Sequence, residues 1–160
     1  MSDRTRPRDG RGLGVAVSAK GDTLAAGVAE VSLDRGNGKV RIHNIWVAID
    51  AGIAVQPKNV AAQTESSIVF GLGHVLREKI TIKGGRVQEL NFNDYQAPRM
   101  ADMPRIEVRV VSTDNPPTGA GEDGVPLVAG AVGNAIAALT GVRLRELPFD
   151  AERVRAALGT

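Results

Sequence analysis

Glu122 closes the stretch Gly119-Ala120-Gly121-Glu122, which lies between Pro116-Pro117 and an apolar run beginning at Val125. Glycines can present backbone N–H groups in conformations that other residues resist. A helix that follows such a loop offers unpaired donors and the positive end of its dipole, a good place for an anion. A carboxylate shielded in that setting can serve as a general base. An acidic residue this close to a helix start also suits simple capping, so the local pattern leaves both readings open. Gln63 and Gln56 carry amides that could hydrogen-bond a ligand through carbonyl and NH2 alike. His43 and His74 show no metal-ligand spacing, so a metal ligated by the protein is not expected. Asp50, Asp94 and Asp102 read as turn and cap residues. Neighbours such as Glu122 and Asp123 seldom face one site as an acid/base pair, which argues against a carboxylate hydrolase.

These residues need elements to hold them. Leu13, Val15 and Val17 alternate with small residues, and Lys20-Gly21-Asp22 makes a turn into a second strand, Thr23 to Leu33. A polar loop from Asp34 to Lys39 leads to a third strand, Val40 to Ile49, so an antiparallel meander is expected. Apolar residues change register within that strand, which calls for a bulge or burial on both sides. Pro57 opens a helix in which Ala61, Ile68, Leu72, Val75 and Leu76 recur as far as Glu78. Its length would be roughly 33 Å at 1.5 Å per residue. Gly71 and Gly73 weaken it by about 1 kcal/mol each relative to alanine, so a close backbone or a ligand should compensate. A hairpin around Lys83-Gly84-Gly85, a structured loop from Asn91 to Pro104 and a strand through Ile106, Val108 and Val110 follow. The glycine-rich loop then leads to a helix from about Pro126 to Leu139, stopped by Gly141. A short helix covers Ala151 to Leu158. The class is α+β, with a mainly antiparallel sheet, one long helix and a second helix after the glycine-rich loop.

At 160 residues and 42 % hydrophobic, the chain can bury one core, built from Val, Ile, Leu and Ala because aromatics are only 3 %. Residues 1–11, with Arg4, Arg6, Arg8 and Arg11, read as a disordered basic arm, and 12–160 as the folded domain. The net charge of +2 is too balanced to indicate nucleic acid. The lack of cysteine excludes disulfides, thiolate metal sites and protein-bound iron–sulfur clusters in this chain. No apolar run is long enough to span a membrane and no secretory signal is evident, so the chain reads as soluble, with its compartment open.

Taken in order, the motifs form one series. It begins with Asp50-Ala51-Gly52, Gln56-Pro57, Gln63, Gly71-Leu72-Gly73, and Asn91-Phe92 with Tyr95, Arg99 and Pro104. Gly119-Ala120-Gly121-Glu122, Gly124, Pro126, Asn134-Ala135-Ile136, and Arg143 with Leu147-Pro148 complete it. The series resembles the C-terminal part of the molybdenum-binding subunit of the xanthine dehydrogenase/aldehyde oxidase family. Within that family it is most similar to the bacterial isoquinoline 1-oxidoreductase β-subunit type. The likeness runs from Gly12 to Pro148.

The resemblance implies hydroxylation of an aldehyde or an electron-poor carbon of an N-heterocycle, with water as the oxygen source. It also implies a molybdenum ion held by a pterin cofactor, in the cytosine dinucleotide form, and not by side chains. Glu122 matches the family's base. Gly121 matches the residue whose backbone lies against the metal's ligands, with Gly119 and Ala120 beside it in the cofactor-binding set. Gln63 matches the cofactor-contacting glutamine of the long helix. Asp123 stands where the family commonly has proline, and Ser66-Ser67 where it has two small residues. The family's subunit is several times longer, so this chain would form one wall of the site and be inactive alone. Its partners would be the other segments of that subunit and a [2Fe–2S] subunit. The competing reading is a non-catalytic interaction module that self-associates through exposed surfaces.

Overall fold

A computed structural model describes residues 10–159. Residues 1–9 of the expected arm lie outside this range, and Arg11 is already the first residue of a strand. The strands are β1 (Arg11–Lys20), β2 (Thr23–Leu33), β3 (Val40–Asp50), β4 (Ile82–Lys83), β5 (Arg86–Val87) and β6 (Arg105–Val110). The helices are α1 (Pro57–Leu76), α2 (Val125–Thr140) and α3 (Ala151–Leu158), with a single 3-10 turn at Met100–Asp102. The main sheet has the order β1-β2-β3-β6. The first three strands pair antiparallel, whereas β6 joins β3 in parallel. The architecture is therefore α+β with a mostly antiparallel sheet.

The register change in β3 is a bulge. Glu30 pairs with Asn44 and Val31 with Ile42, leaving His43 as the extra residue. The insertion lets Ile42 and Ile45, three positions apart, both turn into the core. His43 bonds Ser32 Oγ through Nε2 at 2.7 Å.

α1 and α2 cover one face of the sheet. Ala25, Ala29, Val31, Ile45, Val47 and Ile49 meet Ile68, Leu72 and Val75 of α1 and Leu127, Val128, Ala131, Val132, Ala135 and Ile136 of α2. With so few aromatics, the layers approach closely. A Cβ on Gly14 would overlap the Ala131 carbonyl oxygen and the Ala135 nitrogen, so α2 lies directly on the β1 backbone. Between the helices, a Cβ on Gly71 would sit 2.7 Å from Val128 Cγ2 and 2.8 Å from the Val125 oxygen. The weakness at Gly71 is thus offset by helix packing, and at Gly73 by the Glu78 carboxylate folding back to within 2.5 Å of a would-be Cβ. α1 stops at Leu76 rather than Glu78, because the N–H groups of Arg77 and Glu78 both turn back to the Gly73 carbonyl.

The connection from α1 to β6 is braced by Asp102. Its carboxylate accepts from Arg77 Nη2 at 2.8 Å and from the Arg99 N–H at 2.9 Å. The Arg77 hydrogen bond, reinforced by the Arg99 N–H and opposed by burial, holds the carboxyl below the ordinary aspartate value of 3.8. A depressed folded value stabilises the fold above that pH, and the contribution is lost as pH falls from 3.8 through the lower folded value. Urea midpoints should drop across that acid range in the native chain, and the Asp102→Asn variant should lose this part of the drop. Gly14→Ala should destabilise the chain by about 2–3 kcal/mol through overpacking. An unchanged urea midpoint would show that α2 does not rest on β1.

Candidate functional site

The segment that carries Glu122 is tied to the sheet's end at several points. After β6 the chain runs beside the residues that follow β3. The Val111 N–H donates to Ile49 (2.8 Å), the Ile53 N–H to Asn115 (3.0 Å) and the Thr118 N–H to Ala51 (2.9 Å). Gly52, at φ +76, leaves room for the Pro116 backbone, which any side chain there would overlap. Asp50 supports this turn by accepting from the Gly52 N–H at 2.9 Å and from the Thr113 hydroxyl at 3.0 Å. The Asp50-Ala51-Gly52 motif is therefore a docking point for the incoming loop.

Thr23 makes the next tie. Its buried hydroxyl donates to the Gly119 carbonyl at 2.6 Å and lies 2.6 Å from Thr118 Oγ1. With its one proton committed to Gly119, Thr23 accepts from Thr118. Ala120 turns inward and packs against the core. Gly119 and Gly121 have no atom within 4 Å of a would-be Cβ, and neither has a positive φ. The expectation of unusual backbone conformations in this loop is thus corrected: hydrogen bonds to the sheet hold it, and its glycines present bare backbone to open space. Gly124, the N-cap of α2, differs because a Cβ there would overlap Ser67 Oγ of α1.

Glu122 does not cap α2 with its side chain; its carbonyl accepts from the Val125 N–H at 3.0 Å. Nor is the carboxylate shielded. It is 68 % exposed and ion-paired with the Lys20 ammonium. The pair borders a cleft of about 570 Å³ lined also by Gly21, Thr23, Gly119, Gly121 and Asp123. Asp123 is buried. Gln63 is exposed on α1, four residues before Ser67 and so on the same helix face, one turn from the contact with Gly124. Gln56 precedes α1 and accepts from the Asn59 and Val60 N–H groups through its backbone carbonyl.

The structure thus brings Gly119, Ala120, Gly121 and Glu122 onto one segment at the end of the sheet, with α1 against its exit at Gly124. His43 and His74 lie on different elements, β3 and α1. Among the described residues no group of three His, Asp or Glu is placed to hold a metal ion. The residues present fit a planar, hydrogen-bonding cofactor better than a bare ion: two uncovered glycine backbones and an exposed amide leave room for close approach. Sequence reasoning missed Thr23, Thr118 and Lys20 as site residues. Thr23 and Lys20 act from 95 or more positions away along the chain, and Thr118, beside the glycines, gains its role only by meeting Thr23.

Comparison with known proteins gives the context. Residues 8–104 match a family described as molybdopterin cofactor-binding domain. The chain belongs to that family. Among its relatives, the chain is 37 % identical over 140 residues to the β-subunit of isoquinoline 1-oxidoreductase from Brevundimonas diminuta. That match covers 88 % of the chain and 18 % of the relative. The chain is 36 % identical to a nicotinate dehydrogenase component of Pseudomonas putida, covering 87 % of itself and 12 % of that protein. The chain therefore spans less than a fifth of either relative. Quinoline 2-oxidoreductase from Pseudomonas putida 86 shares its fold, with a TM-score of 0.80 and 23 % identity over 86 % of this chain and 19 % of that one. The resemblance to the molybdenum-binding subunits of the xanthine dehydrogenase family is borne out. Among the described residues no helix is long and apolar enough to cross a membrane.

The two kinds of glycine should separate by mutation. Gly124→Ala should lower stability by about 1–3 kcal/mol through the clash with Ser67. Gly121→Ala should leave it within about 0.5 kcal/mol. Urea denaturation of both variants tests this, and equal losses would contradict the geometry.

Proposed function

We propose that this chain forms one wall of the active site of a molybdenum hydroxylase that oxidises aldehydes or N-heterocycles with water as the oxygen source. The carrying observation is the placement of Glu122 directly after the uncovered backbone of Gly121, on a segment pinned to the sheet. The cofactor, a molybdenum–pterin in its cytosine dinucleotide form, supplies the two-electron acceptor and the activation of water. Glu122 receives a proton at a carboxylate oxygen and so serves as general base. Backbone groups of Gly119, Ala120 and Gly121 line the approach to the cofactor. Gln63, with both donor and acceptor on one amide, would help hold the cofactor by hydrogen bonding. The 20-residue helix α1 supports this reading by carrying Gln63 on the face that meets the start of α2.

The wall works within a larger assembly, composed of the other segments of the molybdenum subunit and a [2Fe–2S] subunit that takes the electrons away. Support comes from the surface, where Phe92 and Leu90 are 93 % and 83 % exposed and Phe70 and Met100 also face water. Large apolar side chains exposed to this degree are what a surface covered by other protein would carry. Alone, the chain is inactive. The same exposed surface also suits the second reading, a non-catalytic module that self-associates, for which molybdenum content in a cofactor-competent host decides.

In the assembled enzyme, Glu122→Gln should lower turnover by about 100-fold or more while molybdenum and pterin content stay at the native level. Near-native turnover in that variant would remove Glu122 from the mechanism.

A further inference from the structure

The hairpin between β1 and β2 ends directly beside Glu122. Lys20 and Thr23 are opposite one another in the register, so the turn consists of Gly21 and Asp22 alone. Gly21, at φ +56, allows this tight reversal. The two closing residues reach different parts of one loop. Thr23 is buried and bonded to the Gly119 carbonyl and the Thr118 hydroxyl. Lys20 is exposed, and its ammonium meets the Glu122 carboxylate. We infer that the tip of this hairpin is the positioning element of the site: Thr23 fixes the loop backbone, and Lys20 fixes the direction of the carboxylate.

The two roles are unequal and depend on each other. An ion pair this exposed contributes little in water, because solvent and salt screen it and two flexible side chains must be ordered. Lys20 alone could not place Glu122. Thr23 is buried and its bonds to Thr118 and Gly119 are part-buried, so leaving the Thr23 hydroxyl unpaired would carry a penalty that helps hold the loop in place. With the backbone tied at Thr118 and Gly119 and Ala120 packed inward, the Glu122 side chain remains to be directed, and a cation within reach serves for that. Among the described residues, the other charged group of the cleft lining is Asp123, and Asp22 lies in the adjoining turn. Both are acidic. They leave Lys20 as the cation of the cleft lining, and so the group that offsets the crowding of negative charge around Glu122. Neither Lys20 nor Thr23 touches reacting atoms, so both are positioning residues. The inference rests on the reading of Glu122 as base only for its functional meaning, since the clamp itself can be observed without turnover.

Two readouts on the full chain test it. Carbodiimide treatment followed by mass spectrometry should yield an amide crosslink between Lys20 and Glu122, and amide hydrogen exchange should show protection at Thr118, whose N–H donates to Ala51. In Thr23→Val, exchange there should rise about tenfold, and crosslink yield should fall at least threefold. Thr23→Ser, which keeps the hydroxyl, should restore both. Should Thr23→Val not fold, Thr118→Val removes the other hydroxyl of the pair and should raise exchange in the same segment. In the assembled enzyme, Lys20→Met should lower kcat severalfold with KM unchanged, and Lys20→Arg should recover most of the loss. A native-like crosslink yield and exchange rate in the folded hydroxyl-lacking variant, or no crosslink in the unsubstituted chain, overturns the inference. A fully active Glu122→Gln enzyme would overturn the function and leave these two readouts untouched.

Discussion

The separation between α2 and the sheet is set by main-chain atoms, and the rest of the molecule follows from that constraint. Gly14 brings the β1 backbone against the turn of α2 that contains Ala131 and Ala135. With main-chain atoms in contact there, α2 has little freedom to slide, since interiors are packed at crystal-like density. Its N-terminus is then fixed by α1, through the contacts at Gly71 and Gly124. The loop that precedes α2 therefore inherits its end point from core packing. The other end comes from β6, whose parallel pairing with β3 sends the chain past Asp50-Ala51-Gly52. A segment held at both ends by the core, and bonded to Thr23 in between, can present a carboxylate at a defined place without unusual backbone angles.

Much of this was legible in the sequence. Alternating apolar residues gave β1 to β3, Pro57 marked the start of α1, and Gly141, at φ +75, ends α2 as its composition suggested. The register change around His43 was visible as an irregular apolar pattern. Burial on one face with a bulge accounts for it, because Ile42 and Ile45 must share that face. These features are local, and local pattern carries them.

What the sequence did not reveal depends on distance along the chain. Glycine-rich spacing marked Gly119 and Gly121, yet it could not separate a glycine demanded by φ or by packing from one with free space above it. Gly52, Gly14 and Gly124 are of the first kind, whereas Gly119 and Gly121 are of the second. Thr23 reads in sequence as an ordinary β-branched residue at a strand start. Its role appears only when Thr118 and Gly119 arrive beside it. Lys20 reads as a turn lysine for the same reason. The shielding expected around Glu122 depends on what surrounds the loop in three dimensions, which local pattern does not encode.

The apolar side chains of Leu90 and Phe92, left standing in water, bear on how such a chain is made in a cell. Unshielded apolar groups on a folded surface attract the same chaperones and proteases that patrol for misfolding. In the assembly proposed above, the lifetime of each newly made copy would depend on how soon those side chains are covered. Synthesis matched to the supply of the covering segments would then leave few orphan copies, and the surface would act as a gauge of stoichiometry.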